Sequence, residues 1–167
     1  MESYTESQKH LARPYRKAVL KTLLILTAVS GLLFFMLNMQ RGNYPLAFAE
    51  IGMACYSVFI FWAIGNTKHL ERWILAFILP FCITMMFALT SPRATTTVFA
   101  WVLLIPILSH LLMGRRLGLL VSAVFMVTAA VIFFFKFHDA PELMQPLPIA
   151  NMGLMSLTIL AFSHIYE

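Results

Sequence analysis

Glu50 is the only acidic residue inside a long apolar segment of the sequence, residues 46–64. If this segment crosses a membrane as a helix, Glu50 lies roughly 6 Å from its first residue, where a carboxylate needs a partner or a proton. Helical spacing puts Ala47, Ala54 and Ser57 on the same stripe, a pattern typical of a face turned toward protein. Two interpretations stay open: a polar contact in a ligand pocket or proton-sensitive switch, and a structural hydrogen bond or an interfacial carboxylate that reaches water.

Several polar and aromatic residues belong to the same ends of the predicted helices as Glu50. They allow a shallow pocket, and the alternative is an interfacial aromatic belt formed by the aromatic residues, with the asparagines as helix-end hydrogen bonders. Gln40 belongs to this set, and the residues predicted to contact a ligand are Glu50, Asn38, Tyr44, Trp101 and Asn151.

The remaining chemistry-bearing side chains do not predict a catalytic or metal site. His110 and His164 belong to the same ends of two predicted helices, but neither has a second ligand at metal-binding spacing along its own helix. Cys55 and Cys82 belong to separate apolar segments, unlike a disulfide framework. The sequence also lacks a nucleophile elbow, HExxH, P-loop or CxxC motif. We therefore expect no catalytic residue, metal or cofactor in this chain.

The composition predicts an all-α integral membrane protein. Hydrophobic residues make up 60% of the 167 positions and charged residues 11%, a balance that a water-soluble domain of this size cannot bury in one core. A helix needs around 17–25 residues to cross a hydrocarbon core of about 30 Å, and continuous apolar runs favour helices over a membrane barrel. Six transmembrane helices are predicted, at 22–39, 46–64, 73–89, 97–113, 117–135 and 149–165.

The basic residues predict the orientation of these helices. Nine of the twelve lysines and arginines belong to the N-terminal segment and to the second and fourth connections, and three belong to the other side. Because short basic loops stay in the cytoplasm, both termini are predicted to be cytoplasmic. The formal charge of +5 then reflects orientation and attraction to anionic lipids, and no basic run indicates a nucleic-acid partner.

Glycine and proline positions predict local departures from straight helices. Gly114 and Gly118 flank two arginines, which favours a tight turn over close helix packing. Pro80 and Pro106 are predicted to interrupt the third and fourth helices. The basic segment 7–21 is predicted to lie partly in the headgroup region before it turns into the first span, an interpretation that Pro14 counts against.

Three short motifs resemble the N-terminal membrane input regions of bacterial diguanylate cyclases and some sensor histidine kinases. The most extended is WVLLIPILSHLLMGRRLGLL, which begins at Trp101 and contains the aromatic, Pro and Gly-Arg-Arg-x-Gly pattern. NMQRGNYPLA, which begins at Asn38 and is followed by Glu50, is similar to the first external turn of those regions. The ending HIYE, from His164, is similar to the passage from their last membrane helix into a cytoplasmic signalling helix. The resemblance covers nearly the whole chain.

The resemblance implies a sensory module of the bacterial inner membrane that is coupled to a cytoplasmic output, commonly a GGDEF diguanylate cyclase domain, and that forms a homodimer. Residues 1–21 would be a basic cytoplasmic segment, 22–165 the six-helix sensor, and 166–167 the start of the signalling helix. Because the chain stops at Glu167, we expect either an excised sensor portion or a protein that acts through a partner.

Three functions follow for the whole chain. The first is a noncatalytic receptor for a small apolar or amphipathic ligand or a membrane cue, embedded in the lipid bilayer. The second is a small transporter or channel with a polar pathway near Glu50. The third, a membrane enzyme that uses His110 and His164, ranks last because it has too few metal ligands.

Overall fold

The computed structural model describes residues 2–65, 67, 69–91, 101–138, 153–159 and 161, with side chains from Pro14 onward. The described elements are all helical. Five helices have defined bounds, and residues 153–159 are helical as well. The five are α1 (Glu2–Gln40), α2 (Tyr44–Ala63), α3 (Leu70–Thr90), α4 (Leu104–Met113) and α5 (Arg115–Phe137).

Within the described residues, four helices are long and apolar enough to cross a membrane. They are Pro14–Gln40 within α1, Tyr44–Ala63, Leu70–Thr90 and Arg115–Phe137. These correspond to the first, second, third and fifth predicted spans. The fourth prediction is represented by α4, which has ten residues and so extends about 15 Å, too short to cross alone. In the fourth predicted span, residues 101 and 102 are also helical and Leu103 is a turn residue. In the sixth, residues 153–159 and 161 are described as helical, and the remaining residues of both spans lie outside the described residues.

The chain forms two compact units, residues 1–77 and 78–167. In the first unit, α1 and α2 form an antiparallel hairpin. Three residues connect them, and Gly42 has a φ of 68°, which a residue with a side chain rarely adopts. The amide of Asn43 donates to the carbonyl of Asn38 at 2.9 Å and closes the turn. Pro45 follows in the first turn of α2, where a missing amide hydrogen costs little.

Helix α1 is one continuous element of 39 residues that contains Pro14. The helix therefore continues through Pro14 into the first candidate span. A helix of this length extends almost 60 Å at about 1.5 Å per residue, about twice the thickness of a hydrocarbon core. The polar residues before Pro14 thus continue the axis of the candidate span beyond the apolar region.

Helix α3 also runs through a proline without a break. Pro80 lies inside the helix and lacks the amide hydrogen that would bind the carbonyl of Ala76, and the hydroxyl of Tyr56 in α2 donates to that carbonyl at 3.0 Å. The prediction that Pro80 interrupts this helix is wrong, since membrane helices tolerate proline where side chains satisfy the freed backbone groups. The start of α3 is fixed within the first unit by Thr67, whose hydroxyl oxygen accepts from the indole of Trp73 at 3.1 Å and from the amide of His69 at 3.2 Å.

The second unit contains a tighter hairpin, formed by α4 and α5. Gly114 alone connects them, with φ 86° and ψ 172°, a backbone conformation that belongs essentially to glycine. Arg115 and Arg116 are therefore the first residues of α5 and not a loop. Leu103 is a turn residue between helical residues, and Pro106 lies in the first turn of α4, so the predicted interruption of this segment is confirmed.

Large apolar side chains cover the accessible surface of both units. Trp62 in α2 is 83% exposed and Phe135 in α5 is 75% exposed, while Ile60 and Ala129 on the same two helices are fully buried. A water-soluble domain would not expose so many large apolar groups. The surface therefore fits lipid, in agreement with the predicted all-α membrane class.

Candidate functional site: the Asn38–Glu50 pair and the buried serines

The side-chain amide of Asn38 and the carboxylate of Glu50 join the two helices of the first hairpin. Nδ2 of Asn38 donates to both carboxylate oxygens, at 3.0 Å to Oε1 and 2.9 Å to Oε2. Both side chains are half-buried. The pair lies close to the turn, because Asn38 is in the last turn of α1 and Glu50 is in the second turn of α2.

Small residues allow the two helices to approach closely beside this pair. A Cβ atom on Gly31 would lie 3.0 Å from the Cβ of Ala54 and 3.0 Å from the backbone oxygen of Glu50. Ala47 and Ser57 are fully buried, and Ala54 is 5% exposed. The predicted orientation of this stripe toward protein is confirmed. Its face packs on α1.

Among the described residues of the first unit, the structure joins two of the predicted ligand-contact residues, Asn38 and Glu50. Tyr44, at the start of α2, is 55% exposed, and Trp101, which belongs to the second unit, is 42% exposed. Gln40 is exposed at the end of α1. Asn151 lies outside the described residues. The exposure of the two aromatic residues suits an interfacial belt and a wall of a pocket equally.

Chemically, the pair is a hydrogen-bond acceptor with unused capacity. An ionised carboxylate offers about four lone-pair directions, and an amide nitrogen has two hydrogens to donate. Within the described part of the chain, the partner of Glu50 is this uncharged amide. The site can therefore accept further donors from a hydroxyl, an amine or water.

A second set of polar side chains is buried where α4 meets α5. Ser109 and Ser122 are fully buried and His110 is 2% exposed. Nδ1 of His110 lies 2.8 Å from the carbonyl of Pro106, so this nitrogen carries the hydrogen and donates to the oxygen. The hydroxyl oxygens of Ser109 and Ser122 have no hydrogen-bond partner among the described residues. Sequence reasoning missed both serines, because a serine in an apolar helix is common and its burial depends on the neighbouring helix.

The prediction for Gly118 is wrong. A Cβ atom there would lie 2.7 Å from Cα and 2.9 Å from the backbone nitrogen of His110, so the two helices touch through their backbones. Gly114 makes the tight turn, and Gly118, one turn later, makes the close packing. The small-xxx-small spacing was the signal for this contact.

The described residues contain no group of three or more metal-ligating side chains. His164, the predicted neighbour of His110, lies outside them. The absence of a metal site thus stays a prediction for the whole chain.

Two lysines hold helix ends, a role that the sequence alone did not indicate. Nζ of Lys136, in the last turn of α5, donates to the carbonyl of Leu89 at 2.8 Å and also to that of Ser91, at the end of α3. Nζ of Lys17 in α1 donates to the carbonyl of Gly65 at 2.8 Å, just after α2. In both cases an ammonium group satisfies carbonyls that a helix leaves open at its C-terminus.

Comparison with known proteins gives one family and no individual relative. No curated protein and no solved structure matches the chain. The profile of MASE6, a family of membrane-associated sensor domains, matches residues 10–167, which include both hairpins and every candidate site residue. The chain therefore belongs to the MASE6 family of membrane-associated sensor domains.

Proposed function

We propose that this chain is a sensory input domain of the bacterial inner membrane that binds a small apolar or amphipathic ligand at the Asn38–Glu50 pair and regulates a cytoplasmic output. Membership of a membrane sensor family supports the sensory role. The observation that carries the choice of site is the hydrogen bond from Asn38 to both oxygens of Glu50, between two candidate spans.

The pair is suited to exchange because its own bond is weak. Side-chain hydrogen bonds between membrane helices contribute about 0.6 kcal/mol on average, so a ligand donor can replace the Asn38 amide at small cost. The apolar part of such a ligand would lie among exposed apolar residues of the same hairpin, such as Phe48, which is 63% exposed. A ligand with a hydrogen-bond donor at one end and an apolar body would fit both the Asn38–Glu50 pair and these exposed apolar residues.

A ligand that binds here changes the contact between α1 and α2. It shifts the conformational equilibrium only if its affinity differs between the two arrangements of these helices. Helix α1 is continuous from Glu2 to Gln40 and therefore gives a rigid connection between the pair and the N-terminal segment. In the proposed orientation, with both termini in the cytoplasm, the pair lies toward the outer face and α1 carries the change inward.

The proposed output is a diguanylate cyclase domain that follows the last membrane helix in the full-length protein, and a homodimer would bring two such domains together. This part of the proposal rests on the resemblance of the Trp101, Asn38 and His164 motifs to the input regions of those cyclases. It predicts that the gene continues beyond Glu167 into an output domain.

The test is the effect of Glu50→Gln on bound small molecules and on output. The chain is purified in native lipid nanodiscs, and co-purified small molecules are identified by mass spectrometry for wild type and variant. Glu71→Gln is the matched control, since Glu71 is an exposed carboxylate at the start of α3. We expect Glu50→Gln alone to lose the ligand and to change cyclic di-GMP production by the full-length protein. Unchanged ligand content and unchanged output in correctly folded Glu50→Gln protein would refute the site.

The transporter alternative predicts a different measurement. A half-buried carboxylate on a candidate span is also what a polar pathway requires. Proteoliposomes that contain the chain would then show ion or substrate flux that Glu50→Gln abolishes. The sensory proposal predicts no such flux.

A further inference from the structure

The two buried serines of the α4–α5 hairpin differ from other hydroxyl groups in the described helices. Five serine and threonine hydroxyls donate to the carbonyl of the residue four positions earlier, which satisfies the hydroxyl within its own helix. These five are Thr22, Ser30, Ser57, Thr84 and Thr128, at distances of 2.7 to 3.1 Å. Ser109 and Ser122 make no such bond, although both are fully buried.

Burial without a partner is costly for a hydroxyl group, because neither lipid nor an apolar core replaces its hydrogen bonds with water. Each serine could donate to the carbonyl four positions earlier in its own helix, but neither hydroxyl does so. Their hydroxyls therefore suit a partner that lies between the helices.

The geometry of the hairpin limits the size of such a partner. At Gly118 the backbones are so close that a Cβ atom would lie 2.7 Å from Cα of His110. Ser109 adjoins His110 in α4, and Ser122 follows Gly118 by one turn on the buried face of α5. Such close packing next to the serines favours a very small partner, and a hydroxyl group can both donate and accept a hydrogen bond.

We propose that Ser109 and Ser122 bind a water molecule that bridges α4 and α5. The imidazole of His110 adds a third polar group to the cluster, and a buried water commonly makes two to four hydrogen bonds. This internal hydration site is independent of the Asn38–Glu50 pair, which belongs to the other unit. It would tie the two helices together next to the Arg115–Arg116 start of α5.

The direct test is water-to-protein magnetisation transfer in solid-state NMR spectra of the full chain in lipid bilayers. We expect transfer from bound water to Ser109 and Ser122, and loss of the Ser109 signal in the Ser122→Ala variant. Ser57 is the matched control, because it is equally buried but donates to the carbonyl of Met53 at 2.8 Å. Absence of transfer at both serines, equal transfer at Ser57, or another side chain in contact with the hydroxyls would overturn the site.

The sign of the stability change gives an independent test. If a water molecule bridges the serines, Ser109→Ala and Ser122→Ala each lower the unfolding midpoint, and the double variant loses less than the sum of the two. If the hydroxyls have no partner, alanine raises the midpoint, because an unsatisfied buried group is removed. A raised midpoint or strictly additive losses would contradict the proposal.

Discussion

The two hairpins, α1–α2 and α4–α5, each turn at a glycine with a positive φ, but their contacts are of different kinds. In the first, a Cβ atom on Gly31 would lie 3.0 Å from a side-chain methyl and from a carbonyl oxygen, beside a half-buried polar pair. In the second, a Cβ atom on Gly118 would lie 2.7 to 2.9 Å from backbone atoms of His110, beside fully buried serines. Accommodation of a Cβ atom in the first contact would need a shift of a few tenths of an ångström, whereas every contacting atom in the second is backbone and would have to move further.

Under the proposed function, this difference gives the two hairpins different roles. A ligand can change a contact only where groups are accessible and neighbours can yield, which describes the Asn38–Glu50 end of α1–α2. A contact between backbones resists deformation, because packed interiors transmit strain and do not absorb it. We therefore expect α4–α5 to move as a rigid body while α1–α2 responds to ligands.

The largest expected effect is that of Gly118→Ala. The added methyl group has no room against the backbone of His110, so we expect a loss of about 1–3 kcal/mol of stability, as is typical of overpacking. Gly52→Ala is the control, since a Cβ atom there meets nothing within 4 Å and alanine favours a helix. Unfolding of both variants in bilayers or bicelles measures the difference. Equal stability of the two variants would remove the distinction between the hairpins.

The next effect is that of Lys136→Met. It removes two charge-assisted hydrogen bonds to the end of α3, and bonds of this kind contribute roughly 1.5–3 kcal/mol each when buried and less when solvent screens them. Because Lys136 is half-buried, we expect a total loss near 1–2 kcal/mol. Lys17→Met, which removes a single, solvent-exposed hydrogen bond, should lose less stability. A larger loss for Lys17→Met in the same unfolding experiment would reverse the comparison.

A smaller effect is expected for Gly31→Ala. The methyl group would meet Ala54 and the Glu50 carbonyl at 3.0 Å, a less severe overlap than at Gly118, so we expect a loss of about 1 kcal/mol, the lower end of the usual overpacking range. The same change should alter ligand affinity at the neighbouring pair, which a ligand titration of the purified variant would measure. A destabilisation as large as that of Gly118→Ala would show that the helix contacts at Gly31 and Gly118 are equally rigid.

The smallest effect on stability is expected for Asn38→Ala. It removes the amide donor to Glu50, and hydrogen bonds of this kind between membrane helices contribute about 0.6 kcal/mol. Ligand affinity should change more than stability does, since the carboxylate loses its competing partner. If Asn38→Ala unfolds the chain, the pair is structural and the sensory proposal loses its site.

Much of the fold follows from the sequence through local rules. Four of the six predicted spans correspond to helices of membrane-crossing length, because a run of apolar residues in lipid can satisfy its backbone only as a helix. The stripe of Ala47, Ala54 and Ser57 also follows from helical periodicity alone. The effect of proline on a helix is less predictable from the sequence. Pro106 lies in the first turn of a helix, but α1 and α3 continue through Pro14 and Pro80.

The candidate site depends on contacts between helices that local sequence rules do not predict. The sequence alone indicated that Glu50 needs a partner and named Asn38 among the candidates, but only the antiparallel packing of α1 on α2 joins the two side chains. The buried serines, the lysines that hold helix ends and the backbone contact at Gly118 depend on which helix faces which. Periodicity determines the face that each helix buries, whereas the partner of that face is set by distances between residues far apart in the chain, which only the tertiary structure fixes.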